Sequence, residues 1–322
     1  MATVVSITNP ITGAVEQVDK LDHTAQQIDD AVALAPQLSN PNLLDNWYFA
    51  NPVNQRGQTS YTGAGYGIDR WKSSNSNLAV NLAGDGIVLS SGSAAGYLAQ
   101  YFDGGIPIED SYTISTLVEA ITGTAYFQAV YSDGTYGKAM KLAAGLNVLT
   151  VKAAKTISRV LFQVNSGSSV TVNSAKLELG SQQTLAHQDA NGNWVLNEIP
   201  DYGEQLRRCQ RYFYRFNFDR NDIFFGSLST NLDKAWITIP TPVVMRTAPS
   251  VSFSTAFNVV IRGNGFQLQA LASNSTVAAD TSTTRCCNIL ITPNTKPSAW
   301  TAQQVVMIYT STEWYMDCSA DL

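Results

Sequence analysis

Tyr112-Thr-Ile-Ser-Thr-Leu-Val-Glu-Ala-Ile121, followed at once by Ala125-Tyr-Phe-Gln-Ala-Val-Tyr131 and Ser132-Asp-Gly-Thr135, decides the fold class. In the first run Tyr112, Ile114, Thr116 and Val118 alternate with Thr113, Ser115, Leu117 and Glu119. Successive side chains on a strand point to opposite faces, so a period of two marks a strand with two different environments. The second run repeats that period and then meets Asp133-Gly134, a tight-hairpin signal. Outward from this hairpin, Val148 to Lys152, Ile157 to Val164 and Val170 to Leu179 read as three more strands, and Asp85-Gly86 and Asp103-Gly104 mark further turns. Many short strands with regular turns and no intervening helix predict a sandwich or jelly roll over residues 41–183.

The C-terminal third repeats the pattern. Tyr212, Tyr214, Phe216 and Phe218 alternate with Arg211, Phe213, Arg215 and Asn217. Phe266 to Leu271, Cys286 to Ile291, Val305 to Thr310 and Trp314 to Cys318 keep the same period, and Pro240, Pro242 and Pro249 fall where strands should end. A second, smaller sandwich is expected over residues 211–322. Between the two, residues 184–210 form a linker: Asp189-Ala-Asn-Gly-Asn-Trp194 is a polar turn, and Asp201 with Glu204 resembles a capping box opening a short helix through Cys209.

Residues 1–40 differ. Glu16, Asp22, Asp29 and Asp30 stand against Lys20, and Asn9-Pro10 and Thr12-Gly13 are turn signals, so an extended arm with one hairpin is expected first. Thr24 and Gln27 then make a capping box, and Leu21, Ala25, Ile28, Val32 and Ala35 fall on one apolar stripe that Pro36 ends. A helix of about 12 residues is marginal alone, so its stripe must meet either its own β domain or copies of itself in a stem. The fold class is therefore mostly β: a short N-terminal arm and helix, then two β-sandwich or jelly-roll domains joined by a short helix.

Composition bounds the function. Hydrophobic residues make up 44% of the 322, enough for real cores, while charged residues make up only 14%, against a usual quarter. Such a surface suits extracellular or capsid-like assemblies and permanent subunit contacts. The net charge of −5 gives no general attraction for nucleic acid or anionic membrane. The basic cluster Arg207, Arg208, Arg211, Arg215 and Arg220 is expected to pair with acids elsewhere in the chain, above all those of the acidic residues 1–40. No stretch approaches the ~18 apolar residues of a membrane span. Residues 1–10 lack the basic start and apolar run of a signal peptide, so synthesis and folding in the cytoplasm are expected.

Candidate chemistry is sparse. No GxSxG, GxxxxGK[ST] or HExxH occurs, and His23 and His187 are the only histidines. Cys209, Cys286, Cys287 and Cys318 include no CxxC, so no metal site is expected and the thiols read as small reduced core residues. The Asp189 turn lacks the distal Glu of a calcium loop. No catalytic residue, cofactor or enzymatic activity is expected. Sugar binding is the more serious option, because sugars stack on aromatic faces while amides and carboxylates hold their hydroxyls. Tyr126, Tyr131 and Tyr136 flank the hairpin that carries Asp133 at its turn, and they either fill the core or make a glycan-contacting face. In the distal domain, the loop from Thr292 to Trp300 offers Asn294, Lys296 and Trp300. Trp300 is either an exposed contact or a core plug.

Three further runs carry a resemblance. They are Asn42-Leu-Leu-Asp-Asn-Trp-Tyr-Phe49, Asn51-Pro-Val-Asn-Gln-Arg-Gly57 and Tyr61-Thr-Gly-Ala-Gly-Tyr-Gly-Ile-Asp-Arg-Trp71. Ala175-Lys-Leu-Glu-Leu-Gly180 follows as a closing strand and Tyr202-Gly-Glu-Gln-Leu-Arg-Arg-Cys-Gln-Arg-Tyr-Phe213 as the link after it. In order and spacing these resemble a module of tail-fibre and head-fibre (appendage) proteins from phages and prophages of Gram-positive gut bacteria. Leu21 to Asp30 resembles the short virion-proximal helix ahead of such modules. The resemblance implies a jelly roll similar to carbohydrate-binding modules, assembly as a homotrimer and residence in the virion. Residues 1–20, turn-rich and without an apolar core of their own, are expected to order on other virion proteins as the anchor, and attachment to host-surface glycan is the expected function. The alternatives are an architectural decorating or baseplate subunit without a ligand and, more distantly, the binding module of a polysaccharide-degrading system. Arg56, Asp69 and Arg70 within the strongest run read as a structural clamp rather than a ligand site, with Asp69 placed to pair with either arginine.

Overall fold

A computed structural model describes residues 4–8, 15–19, 40–231, 233–254, 258–263, 266–271, 273–296, 298, 300–301 and 304–321. At the N-terminus β1 (Val4–Thr8) and β2 (Val15–Asp19) pair antiparallel, Val4 opposite Asp19 and Thr8 opposite Val15. This is the hairpin expected of the arm. The expected helix, with Leu21, Ala25, Ile28, Val32 and Ala35, lies outside the described residues.

The first sandwich begins with β3 (Ser60–Thr62), β4 (Gly65–Tyr66), β5 (Lys72–Ser73), β6 (Leu78–Ala83), β7 (Gly86–Ser91) and β8 (Gly96–Pro107). It continues with β9 (Ser111–Thr122), β10 (Ala125–Tyr131), β11 (Met140–Lys141), β12 (Gly145–Lys152), β13 (Thr156–Val164) and β14 (Ser169–Leu179). Two six-stranded antiparallel sheets result, in the orders β12-β9-β14-β7-β6-β3 and β11-β10-β13-β8-β5-β4. Ile114, Val118, Val170 and Leu89 from the first sheet meet Leu98, Phe127, Val160 and Phe162 from the second in one core. Phe127 and Phe162 stack at 4.3 Å, and Phe49 meets Trp71 edge-on at 5.2 Å. These are the alternate positions that the period of two selects.

The solvent side of the first sheet departs from simple alternation. Lys176 and Glu178 on β14 should face water, yet both are buried. The chain after β14 folds back over them. Thr184 donates to Glu178 through its backbone N (2.8 Å) and Oγ1 (2.6 Å), and Lys176 Nζ lies 2.9 Å from Thr184 Oγ1. Leu185 and Ala186 join the first core. The hairpin of β15 (Ala186–Gln188) and β16 (Trp194–Leu196) completes this cover, and the Asp189 carboxylate accepts from the backbone N–H groups of Asn191 and Asn193 at its turn.

Helix α1 (Tyr202–Gln210) follows, with Asp201 as N-cap accepting from the Glu204 N–H at 2.7 Å. The second sandwich opens with β17 (Phe213–Phe218), β18 (Ile223–Leu228), β19 (Ala235–Pro240), β20 (Ser250–Phe253) and β21 (Asn258–Gly263). It closes with β22 (Phe266–Leu271), β23 (Ser275–Ala279), β24 (Cys286–Pro293), β25 (Val305–Thr310) and β26 (Trp314–Ser319). A three-stranded sheet, β17-β26-β20, packs on a seven-stranded one, β22-β21-β25-β18-β19-β24-β23. Phe218 and Trp314 stack at 3.8 Å over Ile237, Ile261, Ile289 and Ile308. Both large units are thus antiparallel β-sandwiches, as the two runs of alternation predict.

Candidate functional site

Asn46 is the pivot of the segment that joins the sandwiches. It takes a positive φ of 51°, a conformation Asn tolerates better than most residues. Its amide donates to the carbonyls of Val53 (2.9 Å) and Asp69 (2.8 Å) and accepts from the Val53 N–H (2.7 Å), while Trp71 Nε1 donates to its carbonyl (3.0 Å). This holds the Asn51–Gly57 and Ile68–Trp71 runs side by side. Arg56 then spans three partners: Asp69 Oδ1 at 3.1 Å, Asp321 Oδ2 at 2.8 Å, and the ring of Phe213, 3.6 Å from its guanidinium carbon. Arg70, almost wholly buried, donates to Asp45 (3.0 Å) and to the Tyr101 carbonyl (2.8 Å), and lies 3.5 Å from the Tyr212 ring.

Asp69 therefore pairs with Arg56, and Arg70 takes Asp45 instead. Burial pushes the Asp69 carboxyl up to about 7, although Arg56 and the Gln55 N–H pull the other way. Further bonds repeat the theme. Gln205 on α1 accepts from the Asn46 N–H (2.7 Å), Arg208 reaches Asp45 (2.6 Å), and Gln55 Nε2 donates to the Phe213 carbonyl (2.7 Å). Arg215 donates to the Arg56 carbonyl (2.8 Å) and is bidentate on Asp317 (2.6 and 2.7 Å). Of the arginine cluster, Arg207, Arg208 and Arg215 thus pair with Glu204, Asp45 and Asp317, acids from the helix and both sandwiches. The strongest sequence run is a clamp between domains.

The expected ligand residues do not converge. Tyr131 faces the first core, its hydroxyl 3.1 Å from that of Tyr112. Tyr126, five positions earlier, faces the other side of the sheet. Tyr136 is 60% exposed. Asp133 is held in its turn by Thr135 N–H (2.9 Å), Thr135 Oγ1 (2.5 Å) and Lys155 (3.0 Å), bonds that bring its carboxyl down to about 2. In the distal domain Asn294 and Lys296 are exposed, but Trp300 is only 4% exposed and belongs to the second core. Of the two readings of Trp300, the structure has the core plug: the residue closes the sandwich under its loop, because burying an indole there outweighs presenting it to water.

One of those residues does lie on a coherent face. On the outer side of the β11-β10-β13-β8-β5-β4 sheet, Tyr126 stands level with Lys141, Gln163 and Tyr97. The next row is Gln128, Leu161, Ala99 and Lys72, and the third is Val130, Arg159 and Tyr101. Ala99, Val130 and Leu161 form a small buried cluster separate from the main core, with Tyr97 and Tyr101 packed against it. The floor is thus aliphatic and dry, and its rim is aromatic. Arg159 lies 5.4 Å from the Tyr101 ring, Lys72 lies 5.7 Å from Tyr101 and 5.3 Å from Tyr66, and Arg56 of the clamp lies 5.6 Å from Tyr66. Cations and rings therefore alternate from the domain junction across the sheet. Tyr97 and Tyr101 are four residues apart on one strand, about 13 Å at the rise of a strand. No Asp or Glu stands in these described rows.

Only Tyr126 of this face was singled out by sequence. The signal for the others is the odd-numbered set Tyr97, Ala99 and Tyr101 on β8, but its level with Tyr126, Gln128 and Arg159 depends on the register of β10, β13 and β8. Among the described residues, no three His, Cys, Asp or Glu side chains converge as a metal site, and no helix is long and apolar enough to cross a membrane.

No protein-family model matches the chain, and no curated protein matches it in sequence. Among solved structures, discoidin II of Dictyostelium discoideum aligns at 9% identity over 71% of this chain and 79% of its own, with a TM-score of 0.18. A cycloisomaltooligosaccharide glucanotransferase of Paenibacillus sp., solved with cycloisomaltoheptaose, aligns at 9% identity over 88% of this chain and 49% of its own, with a TM-score of 0.21. Overlaps this small carry no argument about function.

Proposed function

We propose that this chain is a non-catalytic glycan-binding protein of a phage virion appendage. The observation that carries glycan binding is the outer face of the first sandwich: Tyr97, Tyr101 and Tyr126 around a dry floor, flanked by Gln128 and Gln163 and by Lys72, Lys141 and Arg159. Tyrosine rings take the apolar face of a pyranose while keeping a polar edge in water. The half-buried Gln163 amide serves hydroxyls, and the cations favour a saccharide bearing carboxylate or phosphate groups. The two tyrosines of β8 span enough length for an oligosaccharide rather than a single ring.

The virion reading rests on the order and spacing of the clamp runs and on the charge-poor composition. A homotrimer is part of it, with residues 1–20 as the attachment to other virion proteins and the cytoplasm as the site of synthesis. The second sandwich offers the contact between copies. On the outer side of its large sheet, Ile223, Phe225, Trp236 and Val305 are 58, 72, 43 and 69% exposed, beside the less exposed Tyr309, Met307 and Leu290. At about 150–250 Å² per aromatic side chain, Phe225 and Trp236 alone present roughly 200 Å² of apolar surface. With their neighbours the patch reaches the ~300–600 Å² of the largest patches on monomers, which are often functional. A second copy of the chain is its occupant.

Screening the intact protein against neutral and acidic bacterial polysaccharides tests the glycan reading. Retention on acidic polymers, weakened by salt, is expected. Retention on none of them favours the second reading, an architectural subunit whose aromatic face serves packing alone.

A further inference from the structure

Cys287 lies on β24 of the large sheet and Cys318 on β26 of the small one, and both point into the second core. Their sulfurs are 2.7 Å apart. Two non-bonded sulfur atoms do not pack so closely, and a disulfide at ~2.05 Å is only slightly shorter. Both residues are buried among Ile239, Met316 and Phe218 of the same cluster. Cys286, next in the chain, faces the other side of β24, and Cys209 belongs to α1. Each of the pair thus has the other as its thiol neighbour across the two sheets.

We propose that Cys287 and Cys318 form a cross-sheet disulfide once the chain meets an oxidant of the small-molecule disulfide class, of which oxidised glutathione is the simplest. The Cys287 thiolate attacks one sulfur of that disulfide, breaks its S–S bond and expels one thiolate. Cys318 loses its proton, attacks the Cys287 sulfur of the mixed disulfide and expels the second. The protein gives up two electrons and two protons, and the small disulfide becomes two thiols. Since both sulfurs are buried, exchange runs through opened or folding chains and is slow in the closed sandwich. The bond is absent while the chain is in a reducing cytoplasm and forms outside it. It joins the two sheets across 31 positions of chain, so it restricts the unfolded chain and stabilises the second sandwich.

The test uses the full chain, purified reduced and refolded with either oxidised glutathione or a reductant. The expected result is loss of two of the four thiols on titration after denaturation, and a Cys287–Cys318 cross-linked peptide by mass spectrometry. The melting temperature should rise by roughly 10 °C, and the added reductant should reverse it. Cys286→Ala and Cys209→Ala should keep the cross-link, and Cys287→Ala should abolish it. Four free thiols after oxidative refolding, a cross-link through Cys286 or Cys209, or one between chains overturns the proposal. Because the wild-type chain supplies the primary result, a variant that fails to fold does not decide the outcome.

Discussion

Arg56 and Asp321 are separated by 265 positions in the chain, and their charged groups meet at 2.8 Å. One end of the first sandwich is thereby tied to the end of the last strand of the second. The same guanidinium holds Asp69 and stacks on Phe213, so a single side chain joins three segments. Such a joint fixes where the tyrosine face of the first sandwich sits relative to the apolar face of the second.

Removing one partner from a buried ion pair costs more than the pair contributes, because the other charge is left buried alone. Arg56→Ala leaves both Asp69 and Asp321 without it. The expected loss is about 3–5 kcal/mol by urea unfolding. The two sandwiches should then melt separately by calorimetry. A single unchanged transition would mean that the clamp does not couple them.

Asp69 also sets a pH dependence. Its folded value of about 7 lies above its ordinary value of 3.8, so between those limits the native state binds more protons than the unfolded chain. Stability contributed by this group is present in full at the acid end and is lost as pH rises towards 7. Asp321, raised by its own burial, adds in the same direction. Asp69→Asn cannot titrate and should flatten the profile by up to about 1.4 kcal/mol per pH unit. Urea midpoints for wild type and variant across this range check it, and parallel profiles would remove Asp69 as the cause.

Trp300→Ala empties a filled site in the second core. The expected cost is about 3–5 kcal/mol, with saccharide retention intact at low temperature. Lost retention with unchanged melting would return Trp300 to the ligand site.

Much of this architecture is legible from side-chain periodicity. The runs at Tyr112 to Ile121 and Ala125 to Tyr131 become β9 and β10, and Asp201 caps α1 as its spacing to Glu204 suggests. What is not legible involves contacts across long stretches of chain. Arg56, Asp69 and Arg70 can be recognised as a set within two neighbouring runs, but Asp321, Phe213 and Tyr212 come from the far domain. Lys176 and Glu178 occupy positions that alternation assigns to water, until Thr184 folds over them. Trp300 is ambiguous because the same loop exposes or buries it according to the sheet packed beneath. The outer face is invisible along any single strand, since its rows run perpendicular to the chain.

The apolar face of the second sandwich predicts the assembly. Phe225→Asp places a charge in the centre of the patch, where Phe225 is opposite Met307 and beside Trp236 across β18 and β19. In a monomer this exposed substitution costs little, because Phe225 is not part of the core. In an oligomer it buries an unpaired carboxylate, which is strongly unfavourable. Light scattering of the wild type should give a trimer, and the variant should be monomeric at the same concentration with a near-wild-type circular dichroism spectrum. Ile223→Lys, at the edge of the same face, should weaken association less. A wild-type chain that is monomeric at every concentration, or a Phe225→Asp chain that remains trimeric, would remove this face as the contact between copies.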